Sequence, residues 1–375
     1  MSPSRASSPR CGRPRAFAAQ SGRAALVPLL AFAGLLSGCA SPPPPAPEAV
    51  ARAPSPPPIA RPVADARWPQ AGGQVLGSNE RLLIYLPHAG DQLKAVAARF
   101  LGRESSDWMI AEANGAARLE PGVPLVVPLK PLNPLGVTAD HVQTVPILCY
   151  HRFGTGNAKM VMAPSRFATQ LDWLARNGYN VIRLADLRDF LAGKRALPPK
   201  SVVITIDDGY ESVHRLAFPV LKQYGFPATL FVYTDFVGAG DALRWPQMQE
   251  MAASGLVDIQ SHTKTHRNLI ERAAGETDER YRNNLVAEMQ VPRDLIQRRI
   301  EGSHVKHVAY PYGDASTMVT DAAARQGYEL GLTVVPGGNP FYAQPLLLRR
   351  TMIFGDLDLE GFKAKLQVSR ALAAP

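Results

Sequence analysis

The chain has 375 residues, 46% of them hydrophobic, and a formal net charge of +9. That length suits one large domain or two smaller ones, with ample apolar material for a core. Five arginines and no acidic residue fall within the first 38 positions, so the excess charge on the remainder is modest and nucleic-acid binding is not indicated.

The N-terminal stretch has three parts. Arg5, Arg10, Arg13, Arg15 and Arg23 form a basic region, and Ala24 to Leu36 an apolar run too short to span a membrane comfortably. Leu36-Ser37-Gly38-Cys39 follows and resembles a bacterial lipobox. The resemblance implies cleavage after residue 38 and lipidation of Cys39. Ala40 and Ser41, with no aspartate beside the cysteine, resemble the sorting pattern of outer-membrane lipoproteins facing the periplasm. Cys11 goes with the leader, which leaves Cys149 without a partner for an internal disulfide; it reads as a buried filler. Residues 39–80 form a linker, whose proline-rich part, 41–62, reaches on the order of 60 Å when extended.

Residues 81–129 predict a compact βααβ unit. Leu82 to Leu86 read as a strand, and Leu93, Val96, Ala97 and Phe100 have helical spacing up to Gly102. Trp108 to Ala113 predict a second helix ending at Asn114-Gly115, and Pro124 to Pro128 a closing strand. Tyr85, Gly90-Asp91, Leu93, Gly102, Trp108, Ile110, Asn114, Leu119-Glu120-Pro121-Gly122 and Val127-Pro128 resemble the lysin motif (LysM); Gln92 stands where that family usually has threonine. The resemblance implies binding of N-acetylglucosamine-containing glycans.

After a linker at 130–141, strands and helices alternate from 142 to 366, leaving a tail at 367–375. Strands are predicted at Val145 to Tyr150, Asn180 to Leu184, Ser201 to Ile206, Ala228 to Tyr233, Val257 to Gln260, His307 to Tyr310 and Leu330 to Val334. Ser165 is read as a helix cap, and a long helix is expected over 276–300. Repeated βα units predict an α/β fold built on a parallel barrel.

Three strand ends carry chemistry. Val202 to Ile206 run into Asp207-Asp208-Gly209; alternation across a strand gives the two carboxylates different tasks. Val257 to Gln260 lead to His262 and His266, whose spacing lets both reach one metal, with Asp208 as an oxygen ligand. Two histidines and a carboxylate suit Zn²⁺ and accept Co²⁺ or Fe²⁺. Val308 to Tyr310 end in Pro311-Tyr312-Gly313, a turn able to aim an N–H into a site.

Together Thr205-Ile206-Asp207-Asp208-Gly209, His262-Thr263-Lys264-Thr265-His266 and Ala309-Tyr310-Pro311-Tyr312 resemble the NodB-homology polysaccharide deacetylases, carbohydrate esterase family 4. The flanks, including Ile147 to His151 and His266 to Leu269, lean toward the branch with poly-β-1,6-N-acetylglucosamine deacetylases. The resemblance implies a distorted β/α barrel and metal-dependent removal of N-acetyl groups from a glycan: poly-N-acetylglucosamine, peptidoglycan or a chitin-like polymer. It implies Asp208, His262 and His266 as metal ligands, Asp207 as general base and the Tyr312 N–H as oxyanion donor. Two family features are absent. Ala309 stands where the family arginine orients the base, making Arg349 and Arg350 candidates to replace it. The late histidine that protonates the leaving amine is also missing, and His151 is the candidate for that acid or for substrate binding. An O-acetyl or acetyl-xylan esterase on the same scaffold, or a catalytically silent glycan-binding lipoprotein, are the alternatives.

Overall fold

The structure, a computed structural model, describes residues 72–115, 119–156 and 158–372. The leader, Cys39 and the proline-rich stretch lie outside the described residues.

Residues 74–128 build a three-stranded antiparallel sheet and two helices. Leu82–Leu86 lies between Leu125–Pro128 and a strand absent from the sequence prediction, Gln74–Ser78. The order is therefore ββααβ rather than βααβ. All five residues of the added strand are exposed, so it has no apolar alternation to read. Helices Leu93–Leu101 and Asp107–Asn114 stop where Gly102 and Gly115 turn left-handed. Tyr85, Val96, Ala97, Ile110 and Val127 are buried between sheet and helices. Asp91 binds this unit's start by accepting from the Tyr85 hydroxyl at 2.7 Å and the Gly72 N–H at 2.7 Å.

The larger unit is a curled parallel sheet wrapped by helices. Its strands run in the order Leu330–Leu332, His307–Ala309, Val257–Ser261, Ala228–Val232, Ser201–Ile206, Val145–Tyr150. All six residues of Ser201–Ile206 are buried, as a strand covered on both faces requires. Beyond Val145–Tyr150 the short strand Thr351–Met352 adds in parallel. Just before it, Leu348 pairs with Leu332 on the opposite edge. The segment 348–352 thus bridges the two ends of the curl.

Several local predictions shift. The helix Pro164–Arg176 starts one residue before Ser165, with Ala163 at the cap and proline at the first helical position, where its missing N–H costs nothing. The strand predicted over 180–184 is only Asn180–Val181, and Leu184 already opens the helix Leu184–Leu191. Ser369–Ala371, read as part of a tail, pairs with His141–Gln143 and closes the domain's base. No helix among the described residues is long and apolar enough to cross a membrane.

Candidate active site

The register of the sheet puts the chemistry on one rim. Tyr150 pairs with Ile206, Val232 with Ser261, and Ser261 with Val308. The residues that follow these strand ends therefore converge: His151, Asp207-Asp208 and His262 at one level, with the 310–313 turn beside them. Two hydrogen bonds fix the level, Asp207 N–H to the Tyr150 carbonyl at 2.9 Å and His262 N–H to the Val232 carbonyl at 2.8 Å.

The backbone after Asp207 turns sharply. Asp208 has φ +74°, a left-handed conformation aspartate tolerates better than most residues. Gly209 follows at φ +88°, where a Cβ would sit 2.9 Å from Val232 Cγ1, so both the conformation and the space demand glycine. This reversal sends the two carboxylates to different surroundings.

Asp208, His262 and His266 form a cluster whose ligand atoms all lie within 4.8 Å of one another. Asp208 Oδ1 is 3.5 Å from His262 Nε2 and 3.4 Å from His266 Nε2. Ligand atoms held about 2.0–2.1 Å from one tetrahedral ion stand about 3.4 Å apart, so these separations fit a shared divalent cation. The tautomer fits as well. His262 Nδ1 donates to the Ala309 carbonyl at 2.8 Å, which leaves Nε2 with its lone pair toward Asp208. Burial pushes the Asp208 carboxyl up; imidazoles carrying a proton at Nε2, in place of an ion, outweigh it and hold the carboxyl well below the carboxylate range.

Asp207 faces the barrel interior and is buried. Its Oδ1 accepts from Arg350 Nη1 at 2.8 Å, and its Oδ2 is 3.5 Å from the Cys149 thiol that donates to it. Arg350 supplies the partner that Ala309 cannot. Arg349 points elsewhere, donating to the Pro336 carbonyl at 3.1 Å. Arg350 is 0% exposed and is held by a second bond from Nε to the Thr333 carbonyl at 2.9 Å. Its backbone is placed by Asn339, which accepts from Arg349 N–H at 2.9 Å and donates to the Val145 and Arg349 carbonyls. Burial raises the Asp207 pKa, but Arg350 and His262 overcome it, so the carboxyl titrates below its ordinary value.

His151 lies against Asp207 and Cys149, their polar side-chain atoms within 4.8 Å of one another. Burial pulls its imidazole below the ordinary value, against the raising influence of Asp207 and Asp208. Tyr312 takes φ +62° and is 62% exposed, its ring 5.1 Å from that of His266. The structure thus brings together all six residues singled out in the sequence at this rim. It adds Cys149, read only as a filler, and Glu288, which sequence reasoning missed. Glu288 occupies a position on the Asp278–Arg299 helix whose inward neighbours are Tyr281, Leu285, Met289 and Pro292; a carboxylate in that apolar periodicity was the available signal.

Residues 194–331 match the family described as polysaccharide deacetylase. This stretch of the chain is therefore similar to polysaccharide deacetylases. YxkH of Bacillus subtilis (strain 168) is 31% identical over 193 residues, 52% of this chain and 65% of that protein. The poly-β-1,6-N-acetyl-D-glucosamine N-deacetylase of Escherichia coli (strain K12) is 28% identical over 213 residues, 48% of this chain but 31% of that protein. The chain therefore spans less than two thirds of either relative. Among solved structures, the deacetylase PplD of Streptococcus pyogenes, in complex with acetate, matches with TM-score 0.54 and 25% identity, covering 60% of this chain and 98% of that one. The matched deacetylase domain includes Asp207, Asp208, His262, His266 and Tyr312 but ends before Arg350.

Proposed function

We propose that this domain hydrolyses the N-acetyl group of poly-N-acetylglucosamine, using a divalent cation held by Asp208, His262 and His266. The observation that carries this reading is the pairing of a ligand cluster at metal-edge distances with a second, buried carboxylate on the adjacent residue. The substrate follows the Escherichia coli relative; peptidoglycan is the alternative glycan. Zn²⁺ is the metal the donor set suits best, with Co²⁺ or Fe²⁺ as substitutes.

When bound, the cation supplies Lewis-acid polarisation of the acetamide carbonyl and lowers the pKa of water at the site. The rest falls to the chain's own groups. Asp207, ionised through its contact with Arg350, takes a proton from the attacking water. Arg350 holds that carboxylate in one orientation and keeps it from protonating at rest. The Tyr312 N–H, on a turn forced into a left-handed conformation, donates to the developing oxyanion. His151, beside Asp207, delivers a proton to the departing sugar amine, the role the absent late histidine leaves open. Acetate and a glucosamine unit are the products.

The same reading takes Cys39 as a lipid anchor at the outer membrane facing the periplasm, the proline-rich stretch as a stalk, and the 74–128 unit as a LysM-like glycan-binding module. The test is acetate release by the full chain in detergent, with Zn²⁺ or with chelator, on poly-β-1,6-N-acetylglucosamine, chitin oligomers and peptidoglycan. Release is expected with metal and lost by roughly 10²-fold or more in Asp207→Asn. Release from an O-acetylated xylan alone would instead assign the esterase; stoichiometric metal with no release from any substrate would assign a silent, glycan-binding barrel.

A further inference from the structure

The loop between the two histidines is held from both sides. Its carbonyls are tied to the strand-end segment next door: the Thr234 N–H donates to the Thr263 carbonyl at 3.3 Å and the Asp235 N–H to the Lys264 carbonyl at 3.0 Å. Two of its three N–H groups are tied to a single side chain, and the third, of Thr263, donates to Ser261 Oγ at 3.2 Å. Glu288 Oε2 accepts from the Lys264 N–H at 3.0 Å and the Thr265 N–H at 2.9 Å, while Oε1 accepts from the Thr265 hydroxyl at 2.7 Å. Glu288 is 5% exposed on the helix Asp278–Arg299.

Two features show that this contact does more than fill space. Thr263 and His266, at the two ends of the clasped pair, both sit in the left-handed region, at φ +72° and +61°. Such conformations cost about 1–3 kcal/mol each in non-glycine residues and persist only where the surroundings over-determine them. Further, Pro292, four residues on, has no N–H to give the Glu288 carbonyl, so that carbonyl lacks its helical hydrogen bond where the carboxylate leaves the helix. The same helix face holds the segment beyond His266, through the Tyr281 hydroxyl and the Leu269 carbonyl, 2.5 Å apart.

We propose that Glu288 is a positioning residue which clasps residues 264–265 and thereby presets His262 and His266 at the spacing a divalent cation requires. It touches neither ligand nor cation. It acts by removing the freedom the loop would otherwise lose on each binding event, as partners behind metal ligands do elsewhere. The proposal rests on the metal site of the preceding section.

The test is metal affinity, measured by competition between the full chain and a chromogenic chelator for Zn²⁺, with the visible spectrum of the Co²⁺ form as a second readout. Glu288→Ala is expected to weaken Zn²⁺ roughly 10–100-fold and to change the Co²⁺ bands, with near-UV dichroism retained. Glu288→Gln keeps a carbonyl for the two N–H groups and an amide for the Thr265 hydroxyl; it is expected to restore affinity to within about threefold, since the clasp is geometric rather than ionic. Thr265→Val removes only the hydroxyl contact and should fall between the two. Wild-type affinity and spectrum in a folded Glu288→Ala overturn the proposal. If that variant does not fold, Thr265→Val decides: wild-type affinity there overturns it equally. A wild-type chain that binds no Zn²⁺ would remove the metal site itself, a different failure.

Discussion

The two ends of the sheet each bury a histidine, and the two are treated in opposite ways. His262, at the C-terminal rim, donates its Nδ1 proton to a carbonyl and faces Asp207 and Asp208. Burial alone would depress its pKa; the carboxylates and the Ala309 carbonyl reverse the sign and raise it. His307 begins the strand whose last residue, Ala309, receives that hydrogen bond, and so sits at the other end. Its Nδ1 has no hydrogen-bond partner, Arg188 adds to the effect of burial, and its pKa drops to about 4. At His262 the carboxylates prevail over burial; at His307 burial and Arg188 prevail over the raising influence of Glu329, so that imidazole stays neutral in the core at neutral pH.

The comparison can be broken most severely at Arg350. Arg350→Met leaves Asp207 buried without its counter-charge, and a loss of about 3–5 kcal/mol is expected in urea unfolding. The acid limb of kcat/KM should also move to higher pH, because removing the cation raises the pKa of the base. An unmoved limb would mean that Arg350 only braces the closing segment. His151→Ala tests the rim next. We expect a drop of roughly 10²-fold in kcat and the disappearance of the limb that falls as pH rises, since an acid must carry its proton; full activity with an unchanged profile would remove His151 from the mechanism.

At the opposite end the readout is stability. The folded pKa of His307, about 4, lies below the unfolded value near 6.5. Between these values the unfolded chain binds the extra proton, so stability falls as pH falls, by about 3 kcal/mol over the window. His307→Leu should flatten that part of the stability–pH curve, while leaving acetate release at neutral pH intact. The smallest effect belongs to Cys149. Its thiol is a weak donor at 3.5 Å from Asp207, and Cys149→Ala should cost no more than a few-fold in rate. A larger loss would promote the thiol to a partner of the base comparable with Arg350.

Much of the rim was legible because strand ends announce themselves. The β-branched run Val202 to Ile206 halts at two carboxylates and a glycine, the apolar run Val145 to Tyr150 halts at His151, and the alternating Val257-Asp258-Ile259-Gln260 leads to His262. Arg350 was narrowed only to one of two neighbours. Adjacent residues on an extended segment face opposite ways, and the choice rests on a register, Thr351 against Leu148, set by pairing with a strand some two hundred residues earlier. Gln74–Ser78 was not legible at all: an exposed edge strand carrying a bulge between Val75 and Gly77 is specified by its neighbour rather than by its own pattern.

The bridge formed by 348–352 has a consequence for the order of events during synthesis. A chain made from its N-terminus presents Asp207 and all three residues of the Asp208, His262 and His266 cluster before the ribosome reaches Arg350. Until that late segment inserts between the first and last strands of the curl, the base has no counter-ion and the sheet stays open along a seam. In the proposed mechanism, hydrolysis would then wait for Arg350 to dock. A chain ending before Arg350 would carry the sequence motifs and lack the counter-ion of Asp207.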